Sequence, residues 1–123
     1  MDTDILLKKF DNPDEVKIFE KGKFELVHMP TMTIGRATYQ PGWKWSEHVG
    51  VGVRKFCEVE HMGLVVSGRS TIVFEDGTKY ELEPGSVFYI SSKPHDGWVD
   101  ENDEEDYVSI HIMGAEKYSK QIF

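Results

Sequence analysis

Residues 61–90 read HMGLVVSGRSTIVFEDGTKYELEPGSVFYI, and the pattern of this stretch decides the fold class. Four short runs, MGLVVSG (62–68), STIVFE (70–75), TKYELE (78–83) and SVFYI (86–90), are rich in residues that fit a pleated, half-buried surface. Turn formers separate them: Gly68, Asp76-Gly77 and Pro84-Gly85. Asp76-Gly77 is a tight-hairpin signal, and a two-residue turn of that kind wants positive φ at both positions. Outward from this block the same texture continues, in YVSIHIM (107–113) on one side and FELVHM (24–29) and TIGRATY (33–39) on the other. No sustained 3.6-residue periodicity supplies the crossover helices of a parallel sheet, so the pattern predicts an antiparallel sandwich or barrel. Before Gly22, Asn12 at a cap position, Pro13 at the first helical position and Glu15 at capping-box spacing favour a helix. Val16, Ile18 and Phe19 are too few to fix its type. The expected organisation is a short arm or helix over 1–22 and a β-barrel over 23–123.

Composition narrows the partners. A chain of 123 residues makes one domain with a core that needs no disulfides. Its 14 Lys and Arg against 22 Asp and Glu give a formal charge of −8, which repels nucleic-acid phosphates and anionic lipid. The single cysteine, Cys57, excludes an intramolecular disulfide framework. No apolar run approaches the roughly 20 residues of a membrane span. The N-terminus MDTDILLKKF carries acids where a signal peptide has its basic region, so a cytoplasmic protein is expected. The acidic run 100–106, DENDEED, reads as a solvated turn.

The chemistry lies in five histidines and the cysteine. Imidazole and thiolate both bind borderline metals well. His28 and His111 sit inside apolar strands and read as packed or hydrogen-bonded residues. Cys57 and His61 are four apart, and an even separation in a strand places both on one face. Cys57 is alternatively a small buried hydrophobe. His48 follows the aromatic turn PGWKWSEH, and His95-Asp96 follows SVFYI, at strand ends where a rigid sheet can converge ligands. A Cys57–His61 nucleophile lacks any sign of an orienting partner or oxyanion hole, and the G-x-G at 50–52 lacks phosphate-loop spacing.

These residues carry a family resemblance. The region from Pro41 to Trp98 resembles the small single-domain cupins, whose first motif reads G-x5-H-x-H-x3-E-x6-G. Gly42 and His48 match its opening and Gly68 its close, which puts His61 at the family's Glu and Cys57 at its second His. Eight residues separate His48 from Cys57 where the family has one. The second motif, G-x5-P-x-G-x2-H-x3-N, opens at Gly85, but Ser91 and Lys93 replace its Pro and Gly. Strict counting there places Asp96, rather than His95, at the ligand position. The resemblance implies an antiparallel double-stranded β-helix, or jelly-roll barrel, and a homodimer formed through an edge strand.

It also implies a metal site made from His48, Cys57, His61 and His95, with Asp96 the alternative to His95. The two are read as lying in a turn, where strand alternation does not choose between them, and His95 is favoured because it matches the softness of the other donors. The family's three His and one Glu suit iron, manganese or nickel, whereas the His/Cys set here favours zinc. Trp43, Trp45, Phe88 and Trp98 flank the ligands in sequence and are expected to line a small-molecule site at the barrel mouth. Glu47 and Glu58 are candidate general bases, and Arg36 with Tyr39 a candidate anion-binding pair. Two functional classes stay open: a metal-dependent enzyme acting on a small oxygen-bearing molecule, and a non-catalytic barrel that binds or senses a metal or small molecule.

Overall fold

Each of the seven β-like runs becomes a strand, and two further strands join them. A computed structural model describes residues 4–50 and 54–122. In chain order the elements are β1 (Glu15–Phe19), β2 (Gly22–His28), β3 (Thr33–Tyr39), the one-turn helix α1 (Trp45–His48), β4 (His61–Ser67), β5 (Ser70–Phe74), β6 (Lys79–Leu82), β7 (Val87–Ile90), β8 (His95–Trp98), β9 (Tyr107–Met113) and α2 (Ala115–Ser119). They form a six-stranded sheet in the order β1-β2-β3-β9-β4-β7 and a three-stranded sheet in the order β6-β5-β8. Every strand pair in both sheets is antiparallel. The last strand, β9, lies between β3 and β4, which ties the two ends of the chain into one double-stranded β-helix of the jelly-roll type. Inward-facing residues of the six-stranded sheet, among them Phe24, Leu26, Ala37, Val65, Phe88 and Ile90, make one core, and Ile72, Phe74 and Leu82 of the three-stranded sheet pack against it.

Three local expectations are corrected. The N-terminal segment is an arm that ends in a strand, not a helix. Val16 and Ile18 alternate with polar neighbours, and the free edge of β2 offers β1 a full ladder of partners. Asp14 then caps the arm, accepting the His28 backbone N–H through its carboxylate. Secondly, the β5–β6 hairpin forms, but only Gly77 takes a positive φ, of 93°. Phe74 N–H donates to the Thr78 carbonyl, so the loop holds three residues and needs one left-handed position instead of two. An L-aspartate is spared that strain, and Asp76 instead accepts the Thr78 N–H through its side chain. Thirdly, the segment after SVFYI is not all turn, because residues 95–98 pair with β5 as strand β8.

Candidate metal centre

Strand β8 sets the site. Cys57 N–H donates to the His95 carbonyl at 2.7 Å and His95 N–H to the Cys57 carbonyl at 3.0 Å. This two-residue antiparallel bridge puts their side chains side by side on one face. His61 opens β4 on the inward face, in step with Gly63 and Val65. The thiol and the two imidazoles are all buried, and their nearest donor atoms lie within 4.8 Å of one another.

The same alternation separates His95 from Asp96. Adjacent residues of a strand face opposite ways, and Asp96 turns from the cluster toward α1. Its carboxylate accepts the Ser46 N–H at 3.0 Å, the Ser46 hydroxyl at 2.7 Å and the Gly97 N–H at 2.8 Å. His48 does not join the cluster either. Its Nδ1 accepts the Lys44 N–H at 2.9 Å, and its Nε2 lies 3.7 Å from a carboxylate oxygen of Glu20. Glu47 and Glu58 are exposed and line no part of the central cavity. Arg36 and Tyr39 are three apart and diverge: Arg36 makes a two-point ion pair with Glu25, while Tyr39 points inside.

Hydrogen bonds fix which nitrogens are free. His95 Nδ1 lies 2.7 Å from the Lys93 carbonyl, which can only accept, so Nδ1 carries the proton and Nε2 a lone pair. His61 Nδ1 is 3.3 Å from His111 Nδ1, and His111 Nε2 is 3.2 Å from the Ser109 hydroxyl. When His61 Nδ1–H donates along this chain, its Nε2 is left with a lone pair as well. Among the described residues, His61 Nε2 and His95 Nε2 are both buried with no hydrogen-bond partner. Two such orphaned acceptors beside a thiol are costly in an apolar interior unless a further group meets them.

Burial sets the proton affinities. Desolvation disfavours each imidazolium, so His61 and His95 are held below the usual histidine range and His111 is held at about 4. His61 is lowered further by its neighbours His111 and His95. Desolvation likewise pushes the Cys57 thiol up to about 11. Without metal the site is therefore neutral, and the thiol donates to Gln121 Oε1 at 3.4 Å.

His111, Tyr118 and Gln121 are site residues that the sequence reading did not place there. Tyr118 and Gln121 arrive with α2, whose abrupt start depends on Gly114 at φ 84°. A Cβ at that glycine would collide with the Glu60 carbonyl. Tyr118 packs its ring against His61 and shares a 2.6 Å hydroxyl–hydroxyl bond with Tyr39. All of these groups except Gln121 face a cavity of about 40 Å³, and so do Trp43, Trp45, Phe88 and Trp98.

No protein-family model matches the sequence, and no curated protein matches it either. Solved structures do match. The polyketide cyclase RemF from Streptomyces resistomycificus superposes with a TM-score of 0.64 at 13% identity, over 88% of this chain and 78% of that one. A cupin superfamily protein from Desulfitobacterium hafniense superposes with a TM-score of 0.50 at 13% identity, over 82% and 78% of the respective chains. This chain has the cupin fold. The iron(II) form of HppE shares it, with a TM-score of 0.60 at 8% identity, over 91% of this chain and 61% of that one. At these identities the likeness carries architecture, and the chemistry of this chain must be argued from its own residues.

Proposed function

We propose that this cupin holds one divalent transition metal on Cys57 Sγ, His61 Nε2 and His95 Nε2, and that a small oxygen-bearing molecule binds beside it in the central cavity. The supporting observation is the pair of buried, unpartnered imidazole nitrogens converging with a thiol. One soft sulfur and two borderline nitrogens favour zinc over iron, nickel or manganese. Three protein donors instead of four match the pattern of catalytic zinc sites, which keep a position for water or substrate. This favours a metal-dependent enzyme over a closed storage or sensing barrel. When bound, the metal would polarise an oxygen of the guest.

The chain's own residues do the rest. Lys93 and His111 orient the two imidazoles, Gln121 accepts the thiol proton while the metal is absent, and the aromatic walls exclude water. The free thiol fits a reducing, cytoplasmic setting. Exposed Met62, Val66, Val87 and Tyr89 on the outer face of β4 and of the edge strand β7 would seat a second copy of the chain in a homodimer.

Elemental analysis of protein purified without a metal-affinity tag tests the metal centre. The expected result is near-stoichiometric zinc in the native chain and loss of most of it in Cys57→Ala and His95→Ala, with the circular dichroism of a folded β-protein kept. Equal metal content in native protein and both variants would overturn the ligand set.

A further inference from the structure

We infer that the guest of the central cavity is a small monoanion, a carboxylate on a short apolar body, gripped at its oxygens by the indole N–H groups of Trp43 and Trp45. This rests on the metal centre proposed above and names what that centre is built to hold.

The indoles carry the inference. Trp43 is 4% exposed and Trp45 2% exposed; each Nε1 is buried without a hydrogen-bond partner among the described residues, and both rings line the cavity. An indole nitrogen only donates, so the group it awaits must accept. The Ser70 hydroxyl, on the same wall, is also without a partner. An ammonium guest would leave both indole N–H groups unmet. Ile72, Leu82, Phe88 and Ile90 supply an apolar part of the same lining.

The donors are held in place before any guest arrives. The Trp43 ring stacks on Tyr39 at a centroid distance of 3.7 Å and an interplanar angle of 4°. Its backbone is pinned where Val99 N–H donates to the Trp43 carbonyl and Gly42 N–H to the Val99 carbonyl. Pre-set donors lower the ordering cost of binding.

Charge selects among acceptors. A divalent ion on one thiolate and two neutral imidazoles leaves one net positive charge. Among the described residues no Asp, Glu, Lys or Arg lines the cavity, and the nearest buried carboxylate, Asp96, lies behind the site on the Ser46 and Gly97 donors. An uncompensated charge in an apolar interior is strongly disfavoured, and a monoanion cancels it. A neutral alcohol or amide leaves it standing, and a dianion overshoots it. The chain's overall charge of −8 opposes anions at long range, so recognition depends on the metal.

Isothermal titration calorimetry on the full chain tests this with three probes of matched shape: propionate, propionamide and propylammonium. In zinc-loaded protein propionate is expected to bind at least tenfold more tightly than propionamide, with no binding of propylammonium. Zinc removal should weaken propionate at least tenfold. Trp43→Phe and Trp45→Phe keep an aromatic ring and lose the donor; each should weaken propionate at least fivefold while zinc content, measured separately, stays native. Zinc-loaded protein that ignores propionate, or binds propionamide equally well, overturns the monoanion assignment and leaves the metal centre intact. Unchanged propionate affinity in both tryptophan variants overturns the indole grip. A native chain that takes up no zinc overturns both readings together.

Discussion

At the scale of single residues, the question is what keeps an imidazole pointed at a metal. His61 depends on a neighbour: its Nδ1–H must donate to His111 Nδ1 for Nε2 to stay free, and His111 Nε2–H must in turn donate to the Ser109 hydroxyl. Partners behind a metal-binding histidine are commonly worth about 10- to 100-fold in metal affinity. His111→Leu keeps the volume and removes the acceptor, so it should weaken zinc binding by about that factor in competition with a chromophoric chelator while the fold persists. Native affinity in this variant would mean that His61 is oriented by packing alone. His111 and Gln121 were illegible as site residues because their roles come from register and docking. His111 reads locally as a strand histidine, and only the placement of β9 between β3 and β4 brings it against His61. Cys57 and His61 were expected together from an even spacing in one strand, but β4 starts only at His61, and it is the Cys57 bridge to His95 that brings the thiol to the imidazoles.

At the scale of elements, most of the sheet could be read from the β-rich runs, since their turn residues mark the ends clearly. Strand β8 could not, because HDGW holds one aromatic and a glycine and is a poor strand former alone. Its ladder comes from β5 and from the Cys57 bridge, both distant in sequence. That missed strand is what left His95 and Asp96 unresolved, since a turn imposes no alternation and a strand does. The two neighbours should accordingly fail in different ways. Asp96→Ala leaves the Ser46 and Gly97 donors without their buried acceptor, which should cost about 1–3 kcal/mol of unfolding free energy in urea. Its zinc content should stay native. His95→Ala should do the opposite, losing metal with a smaller loss of stability in the metal-free state. Loss of metal from Asp96→Ala would return that carboxylate to the ligand set.

At the scale of the whole molecule, one surface and one interior govern behaviour in solution. If the apolar outer face of β4 and β7 seats a second copy, Val87→Lys places a charge at its most exposed position, and light scattering should show the dimer giving way to monomer. The interior sets the response to acid. His61, His95 and His111 are all held below the ordinary 6.5, so the unfolded chain takes up protons that the folded chain refuses. Their contribution to stability is complete above about pH 6.5 and is lost as pH falls, for His111 down to about 4, where its share reaches about 3 kcal/mol. Acid also brings the chain toward its pI near 5.0, relieving self-repulsion and acting in the opposite direction. The buried imidazoles should win, because their cost is paid in a low-dielectric core while surface charge is screened by salt. Urea unfolding of metal-free protein at 0.15 M salt should therefore show a drop of at least about 2 kcal/mol between pH 7.5 and pH 5, corresponding to His111 alone over that interval. The zinc-loaded protein should fall more steeply, since acid also displaces the metal from imidazole and thiolate. Stability that stays level or rises toward pH 5 would mean that the three rings are open to water, and the sealed interior on which the metal centre depends would not exist.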